Sequence, residues 1–193
     1  MESRIPKVYT YADYLEFPED ARVELIDGVI YNMSPAMSRI HQEIIFELTL
    51  VIGNYIKQNN KPCKIYTAPF DVVFVEEGQD ESKAINVVQP DISIICDKKK
   101  LTDRGCIGAP EMIIEVVSQN NPAHDYIRKL NLYTQFGVKE YWIVNPYEQN
   151  IFVYVYRPET GYSYPKVYTF NDKVKVSLFE DLIIDFSQIK EVL

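Results

Sequence analysis

Two carboxylates and one amine stand where a folded chain rarely leaves charge without a reason. Asp91 lies in Val87-Val88-Gln89-Pro90-Asp91-Ile92-Ser93-Ile94-Ile95, Glu115 in Met112-Ile113-Ile114-Glu115-Val116-Val117, and Lys129 on the helical stretch that follows. Each acidic run is apolar on both alternating faces, the pattern of a strand covered on two sides. An ionised carboxylate there loses hydration, a cost of several kcal/mol unless a partner or a metal replaces the water. Two such carboxylates with a lysine close by would suit a hard cation such as Mg2+, which takes oxygen ligands. The same three residues would equally make a buried salt bridge, in which removing one partner costs about 3–5 kcal/mol. By strand alternation Glu115 and Val117 share a face, and so do Gln89 and Asp91. Asp125 lies one helical turn before Lys129 and could orient it. Tyr133 could hydrogen-bond into the same place or serve as core packing.

The elements that would position these residues are legible in order. Thr10 precedes Tyr11-Ala12-Asp13-Tyr14-Leu15, a short capped helix that Pro18 stops. Residues 22–33 alternate around Asp27-Gly28, the dipeptide of tight type I′ hairpins, with Glu24 on the first arm. Glu24 is either an accessory carboxylate of the site or an exposed or paired strand charge. Ser38 can cap a helix to about Gln58 whose apolar stripe includes His41, Ile44, Ile45, Leu48, Val51, Ile52 and Tyr55. His41 on that stripe is either a satisfied core residue or a group that faces the substrate. Three strand-like runs follow, 63–76, 87–96 and 111–118. Asn121 and Pro122 then open a helix carrying Tyr126, Ile127, Leu130 and Tyr133 on one stripe, with Lys129 at its border and Gly137 as terminator. Residues 139–144 form a strand parallel to a neighbour, because a helix precedes it. The aromatic runs 151–157 and 162–168 extend the sheet antiparallel. Nothing repeats and no linker appears, so residues 1–193 read as one domain of mixed α/β architecture.

Composition narrows the classes. The chain is 47% hydrophobic and 25% charged, ordinary for a globular protein, and its net charge of −8 excludes a generic basic DNA-coating protein. Lys98-Lys99-Lys100 with Arg104 is the one dense basic patch, a solvated loop or a phosphate contact. Three cysteines, Cys63, Cys96 and Cys106, form no CxxC pair, and His41 and His124 are the only imidazoles. That set favours neither a disulfide framework nor a zinc site. No basic, apolar leader opens the sequence and no apolar run approaches the ~20 residues that span a bilayer. A cytoplasmic location is the expectation.

The ordered set Pro90-Asp91, Glu115-Val116-Val117 and Lys129 resembles the PD-(D/E)XK nuclease superfamily. Within it the chain is similar to the Uma-type bacterial proteins catalogued as restriction endonucleases. Glu24-Leu25-Ile26-Asp27-Gly28, His41 at the start of a helix, and Gly137-Val138-Lys139-Glu140-Tyr141-Trp142-Ile143-Val144 extend the likeness over roughly residues 8–190. Val117 stands where the motif has lysine, and Lys129 would be that lysine moved to the next helix. The resemblance implies a restriction-endonuclease-like α-β-β-β-α-β core. It implies Asp91, Glu115 and the main-chain carbonyl of Val117 as ligands to Mg2+ or Mn2+, Lys129 as the group that orients water, and Glu24 and His41 as further site residues. It also implies nucleic acid, DNA first, as substrate; cleavage of both strands would need two sites and hence a two-fold dimer, for which the C-terminal aromatic strands are a candidate interface. A nuclease fold kept as a binding or assembly module, or a hydrolase of RNA or smaller phosphoesters, is the alternative.

Overall fold

The computed structural model describes residues 7–18, 21–33, 38–118 and 124–191. Asn121 and Pro122 lie outside those residues, as does the side chain of Asp125. The helices are α1 (Tyr11–Tyr14), α2 (Arg39–Gln58), α3 (Leu130–Gln135) and α4 (Phe186–Glu191). The strands are β1 (Val23–Ile26), β2 (Val29–Asn32), β3 (Lys64–Thr67), β4 (Asp71–Phe74), β5 (Asn86–Val88), β6 (Ile92–Ile95), β7 (Gly105–Ile107) and β8 (Met112–Val116). They continue as β9 (Glu140–Asn145), β10 (Asn150–Arg157), β11 (Gly161–Tyr162), β12 (Lys166–Thr169), β13 (Lys173–Lys175) and β14 (Ile183–Asp185).

Twelve of these strands form two sheets, and β13 and β14 pair antiparallel by themselves. The larger runs β11-β10-β9-β8-β6-β3, with β12 also on β10, and the smaller runs β2-β1-β5-β4-β7. In the larger sheet β3–β6 and β6–β8 are antiparallel, while β8–β9 is parallel because α3 carries the chain back between them. With α2 in front, this is the α-β-β-β-α-β order expected. The aromatic strands β11 and β12 both pair antiparallel with β10.

Three of the expected strands prove to be six: the run 162–168 divides into β11 and β12, both on β10, and two other runs divide between sheets. The run 63–76 breaks between β3 and β4 around Pro69, and the run 87–96 breaks between β5 and β6 around Pro90. Proline has no N–H to give a ladder, and at both places the chain leaves one sheet for the other. β3 pairs with β6 in the larger sheet and β4 with β5 in the smaller. Asp91 therefore sits at a corner between sheets rather than inside a strand, and alternation does not carry across it. Gln89 and Asp91 consequently do not share a face.

Layering explains the buried charge. One face of the larger sheet (Ile92, Ile94, Met112, Ile114, Trp142) packs on Ile44, Leu48 and Ile52 of α2 and on Phe170, Phe179 and Phe186 of the closing segment. Its other face (Ile113, Val117, Tyr141, Ile143) meets Val72, Phe74 and Val88 of the smaller sheet and Leu132 and Tyr133 of α3. Val117 is thus on the face of Ile113 and Glu115, as alternation requires. Tyr11 and Tyr14 of α1 cover the far side of the smaller sheet at Leu25, Val73 and Val87. Strands packed on both faces leave no room for solvated side chains.

Local signals act as their chemistry dictates, with three corrections. The Ser38 hydroxyl caps α2 by accepting from His41 N at 3.2 Å, and Asp27 and Gly28 take φ of 52° and 72°, the two positive values a type I′ turn needs. Cys63 and Cys96 oppose each other one step beyond the Lys64–Ile95 pair and are joined as a disulfide, where the cysteine set favoured no disulfide framework; Cys106 is free and buried. The third helix opens with a π segment, His124–Lys129, before α3. That register turns Ile127 outward, 59% exposed, off the stripe on which it was expected. Lys129, expected at the stripe's border, is buried. Among the described residues no helix is long and apolar enough to cross a membrane.

Candidate functional site

The corner between the sheets gathers charge from five elements. β1 supplies Glu24, α2 supplies His41, the β5–β6 corner supplies Asp91, β8 supplies Glu115, and the π segment supplies His124 and Lys129. All six are less than a tenth exposed. Each polar group in such a place needs a partner, and the partners are these residues themselves.

Glu115 lies at the centre. Its Oε1 accepts from Lys129 Nζ at 2.9 Å and from the Tyr133 hydroxyl at 2.8 Å, while Oε2 accepts from Asp91 N at 3.3 Å. Asp91 answers through Oδ2, which accepts from Val116 N at 2.7 Å and lies 3.2 Å from His41 Nε2. Lys129 Nζ also meets Glu24 Oε1 at 3.0 Å, so the ammonium bridges two carboxylates. The second Glu24 oxygen is 2.7 Å from His124 Nε2. A further shell reaches outward: Gln89 N donates to Glu24 Oε1 at 2.9 Å, and Gln89 Nε2 and the Tyr14 hydroxyl both donate to Asp71 Oδ1, at 2.8 and 3.0 Å.

Electrostatics follow from this pairing. Burial alone would raise the Glu24 carboxyl, but the Lys129 ammonium, the His124 ring and the Gln89 N–H outweigh it and hold the group at about 2. Burial and the adjacent Glu115 charge push the Tyr133 hydroxyl well above its ordinary value, so it stays a donor. Three carboxylates thus share one ammonium and two imidazoles: Lys129 meets Glu24 and Glu115, His124 meets Glu24, and His41 meets Asp91.

Asp91 and Glu115 are the two carboxylates of this group that a divalent cation could use. Among the described residues no three acidic, histidine or cysteine side chains form a ready cage for a metal. Such an ion would have to complete its shell with water and main-chain oxygen, the usual habit of Mg2+, which is held by one or two carboxylates. Asp91 and Glu115 are adjacent and fit that habit. Val117, with its side chain in the core, could offer only its carbonyl.

Asp91, Glu115, Lys129, Glu24, His41 and Tyr133, all singled out from the sequence, are therefore at one place, while the side chain of Asp125 lies outside the described residues. Glu24 is a paired buried charge and not an exposed one. His41 touches Asp91 rather than merely filling the stripe. Tyr133 does both things asked of it, packing edge-on against Tyr141 at 4.8 Å between ring centroids while donating to Glu115. Of the basic patch, Lys100 is committed to Ala109 O at 2.7 Å and Glu111 at 3.0 Å, which leaves Lys98 and Lys99 exposed. Sequence reasoning missed His124, Asp71 and Tyr14. For His124 the available signal was its place five residues before Lys129, which aligns the two only in a π register.

The molecule's likenesses agree with this geometry. The crystal structure of "a putative nuclease belonging to DUF820" from Anabaena variabilis ATCC 29413 has a TM-score of 0.74 and 22% identity to this chain, covering 94% of it and 97% of the other. At that identity the shared property is the fold. No curated protein matches the sequence. The family model described as "Uma2: Putative restriction endonuclease" matches residues 10–187, nearly the whole length, and encloses every residue of the buried cluster. The chain belongs to the Uma2 family.

Proposed function

We propose that this protein is a nuclease that uses Mg2+ or Mn2+ to hydrolyse phosphodiester bonds in DNA. The observation that carries the reading is the convergence of Asp91, Glu115 and Lys129, far apart in sequence, at one buried point: Lys129 Nζ is 2.9 Å and Asp91 N 3.3 Å from the Glu115 carboxylate. Membership of a family described as restriction endonucleases supports it.

In this reading Asp91 and Glu115 hold the cation, with the Val117 carbonyl as a main-chain ligand. A bound divalent ion offsets charge on a phosphate and makes its water a better nucleophile near neutral pH. The chain's own residues do the remainder. Lys129, fixed between Glu24 and Glu115, orients the water and offsets negative charge as it develops on the phosphate. Tyr133 limits the rotation of Glu115. His41 does the same for Asp91 from α2, meeting the Oδ2 atom that also accepts from Val116 N. Scission of both strands calls for two sites, so a two-fold dimer is part of the proposal.

Titration calorimetry with MnCl2 tests the metal centre directly. Wild type should take up the ion, and Asp91→Asn and Glu115→Gln should abolish uptake while circular dichroism shows both still folded. A folded wild type that binds no ion at millimolar manganese would overturn the reading. Uptake followed by failure to cut plasmid DNA, with cleavage of RNA or a small phosphodiester, would move the substrate but not the site.

A second reading has its own support. Both oxygens of Glu115 are already satisfied by Lys129, Tyr133 and Asp91 N, so the cluster is stable without an ion. A binding module that keeps the nuclease fold with little catalysis would look this way, and the same titration separates the two.

A further inference from the structure

The π segment His124–Lys129 is the irregular element nearest the cluster, and its irregularity has a geometric effect. On an α-helix, residues five apart point about 140° away from each other, five steps of about 100°. In a π turn the repeat is i to i+5, so residue 129 returns over residue 124. His124 and Lys129 thereby address the same carboxylate from one side: Nε2 of His124 lies 2.7 Å from Glu24 Oε2 and Nζ of Lys129 lies 3.0 Å from Glu24 Oε1. A segment in α register would present one or the other.

We propose that His124 is a positioning residue of the site: by donating from Nε2 to Glu24 Oε2 it fixes the rotation of that carboxylate and, through it, the place of the Lys129 ammonium between Glu24 and Glu115. Several observations support the assignment. The ring is only 8% exposed, so it was removed from water to make this contact. Tyr31 packs against it, with ring centroids 5.3 Å apart, and the Arg128 guanidinium lies 4.7 Å from the centre of that tyrosine ring. Its Nδ1 is buried and has no hydrogen-bond partner among the described residues, which identifies Nε2 as the nitrogen with a structural task. Among the described residues Glu24 is otherwise held only on Oε1, by Lys129 and by Gln89 N. Without His124 its second oxygen is free to swing, and the bridge that fixes Lys129 loosens.

The catalytic consequence rests on the nuclease reading; the geometric one does not. Two variants separate them. His124→Gln carries an amide N–H at nearly the depth of Nε2 but has nothing in place of Nδ1, whereas His124→Leu fills the space with no donor. The first measurement is the Glu24 carboxyl titration, followed by carbon-detected NMR in the metal-free protein. The groups facing it are Lys129, His124 and Gln89 N, with Glu115 and Tyr133 behind the lysine. His124→Leu should move the titration up toward the ordinary carboxylate range, and His124→Gln should leave it near the wild-type position. The second measurement is manganese-supported plasmid cleavage. His124→Leu should lower kcat by about 10- to 100-fold, the usual cost of losing an outer-shell partner, with KM little changed, and His124→Gln should recover most of it.

A Glu24 titration identical in all three proteins would overturn the proposal. So would a His124→Gln enzyme as slow as His124→Leu, because that result makes Nδ1 the working atom and His124 an acid or base instead. If the titrations shift as expected while wild type cuts no nucleic acid, the nuclease reading has failed and the positioning of Lys129 by His124 stands.

Discussion

Glu24 shows how one side chain couples the site to stability. Burial raises its carboxyl, but Lys129, His124 and Gln89 N bring it down to about 2 from an ordinary 4.5. Because the folded value is the lower one, the pairing stabilises the fold fully above about pH 4.5 and is lost as pH falls through about 2. The difference corresponds to about 3 kcal/mol. Glu24→Gln, compared with wild type by urea denaturation, should be less stable by about that amount at pH 7, and the gap should close as pH is lowered from 4.5 toward 2. A gap constant across that window would mean the carboxylate's charge is not what matters. Lys129 makes the complementary case. Replaced by methionine, it leaves two buried carboxylates facing each other, and a loss of about 3–5 kcal/mol in the same assay is expected.

At the scale of elements, the cluster depends on two sheets meeting at the right place. β4 and β7 run parallel with Asp71 opposite Gly105, and the approach is so close that a Cβ on Gly105 would lie 2.0 Å from the Asp71 carbonyl oxygen. Backbone cannot yield as a flexible side chain can, so the strands must separate. Gly105→Ala should therefore cost at least the ~1–3 kcal/mol of ordinary overpacking. It should also disturb Gln89, whose side chain depends on Asp71, and through Gln89 N the Glu24 carboxylate. Thermal unfolding measures the first effect. The NMR titration of Glu24 measures the second, and an unchanged titration in a destabilised Gly105→Ala protein would show that the outer shell does not reach the site.

For the molecule as a whole, a net charge of −8 means that DNA is not held by a general positive field. In the proposed nuclease, affinity for DNA would come from a local basic surface or from the cation. Lys98 and Lys99 are exposed on a short 3-10 turn, while Lys100 is tied to Glu111. Substituting Lys98 and Lys99 together by alanine should weaken DNA binding and reduce the slope of log K against log salt by up to about 2, one for each phosphate no longer neutralised. Lys100→Ala should instead lower stability with less change in the slope. Equal slopes for wild type and the double variant would leave that loop merely solvated.

Much of this protein was legible from residue order. The period of α2, the Asp27-Gly28 turn, the helix before the parallel strand β9 and the apolar runs holding Asp91 and Glu115 follow from local chemistry, which acts over a few residues and leaves its pattern in the chain. The convergence of those two acids with Lys129 was indicated by motif order, and the structure supplies its distances. Other features had no local signature. The breaks at Pro69 and Pro90 send a single run into two sheets, because which sheet a strand joins is settled by partners distant in the chain. The disulfide of Cys63 and Cys96 depends on the β3–β6 register, and the place of His124 depends on a π turn that periodicity cannot reveal. The sequence alone determined that Asp91 and Glu115 stand in apolar runs; only tertiary packing decided that Glu24, His124 and Lys129 would be buried with them and which partners would meet, because apolar runs are local patterns while pairing is set by contacts between residues remote in the chain.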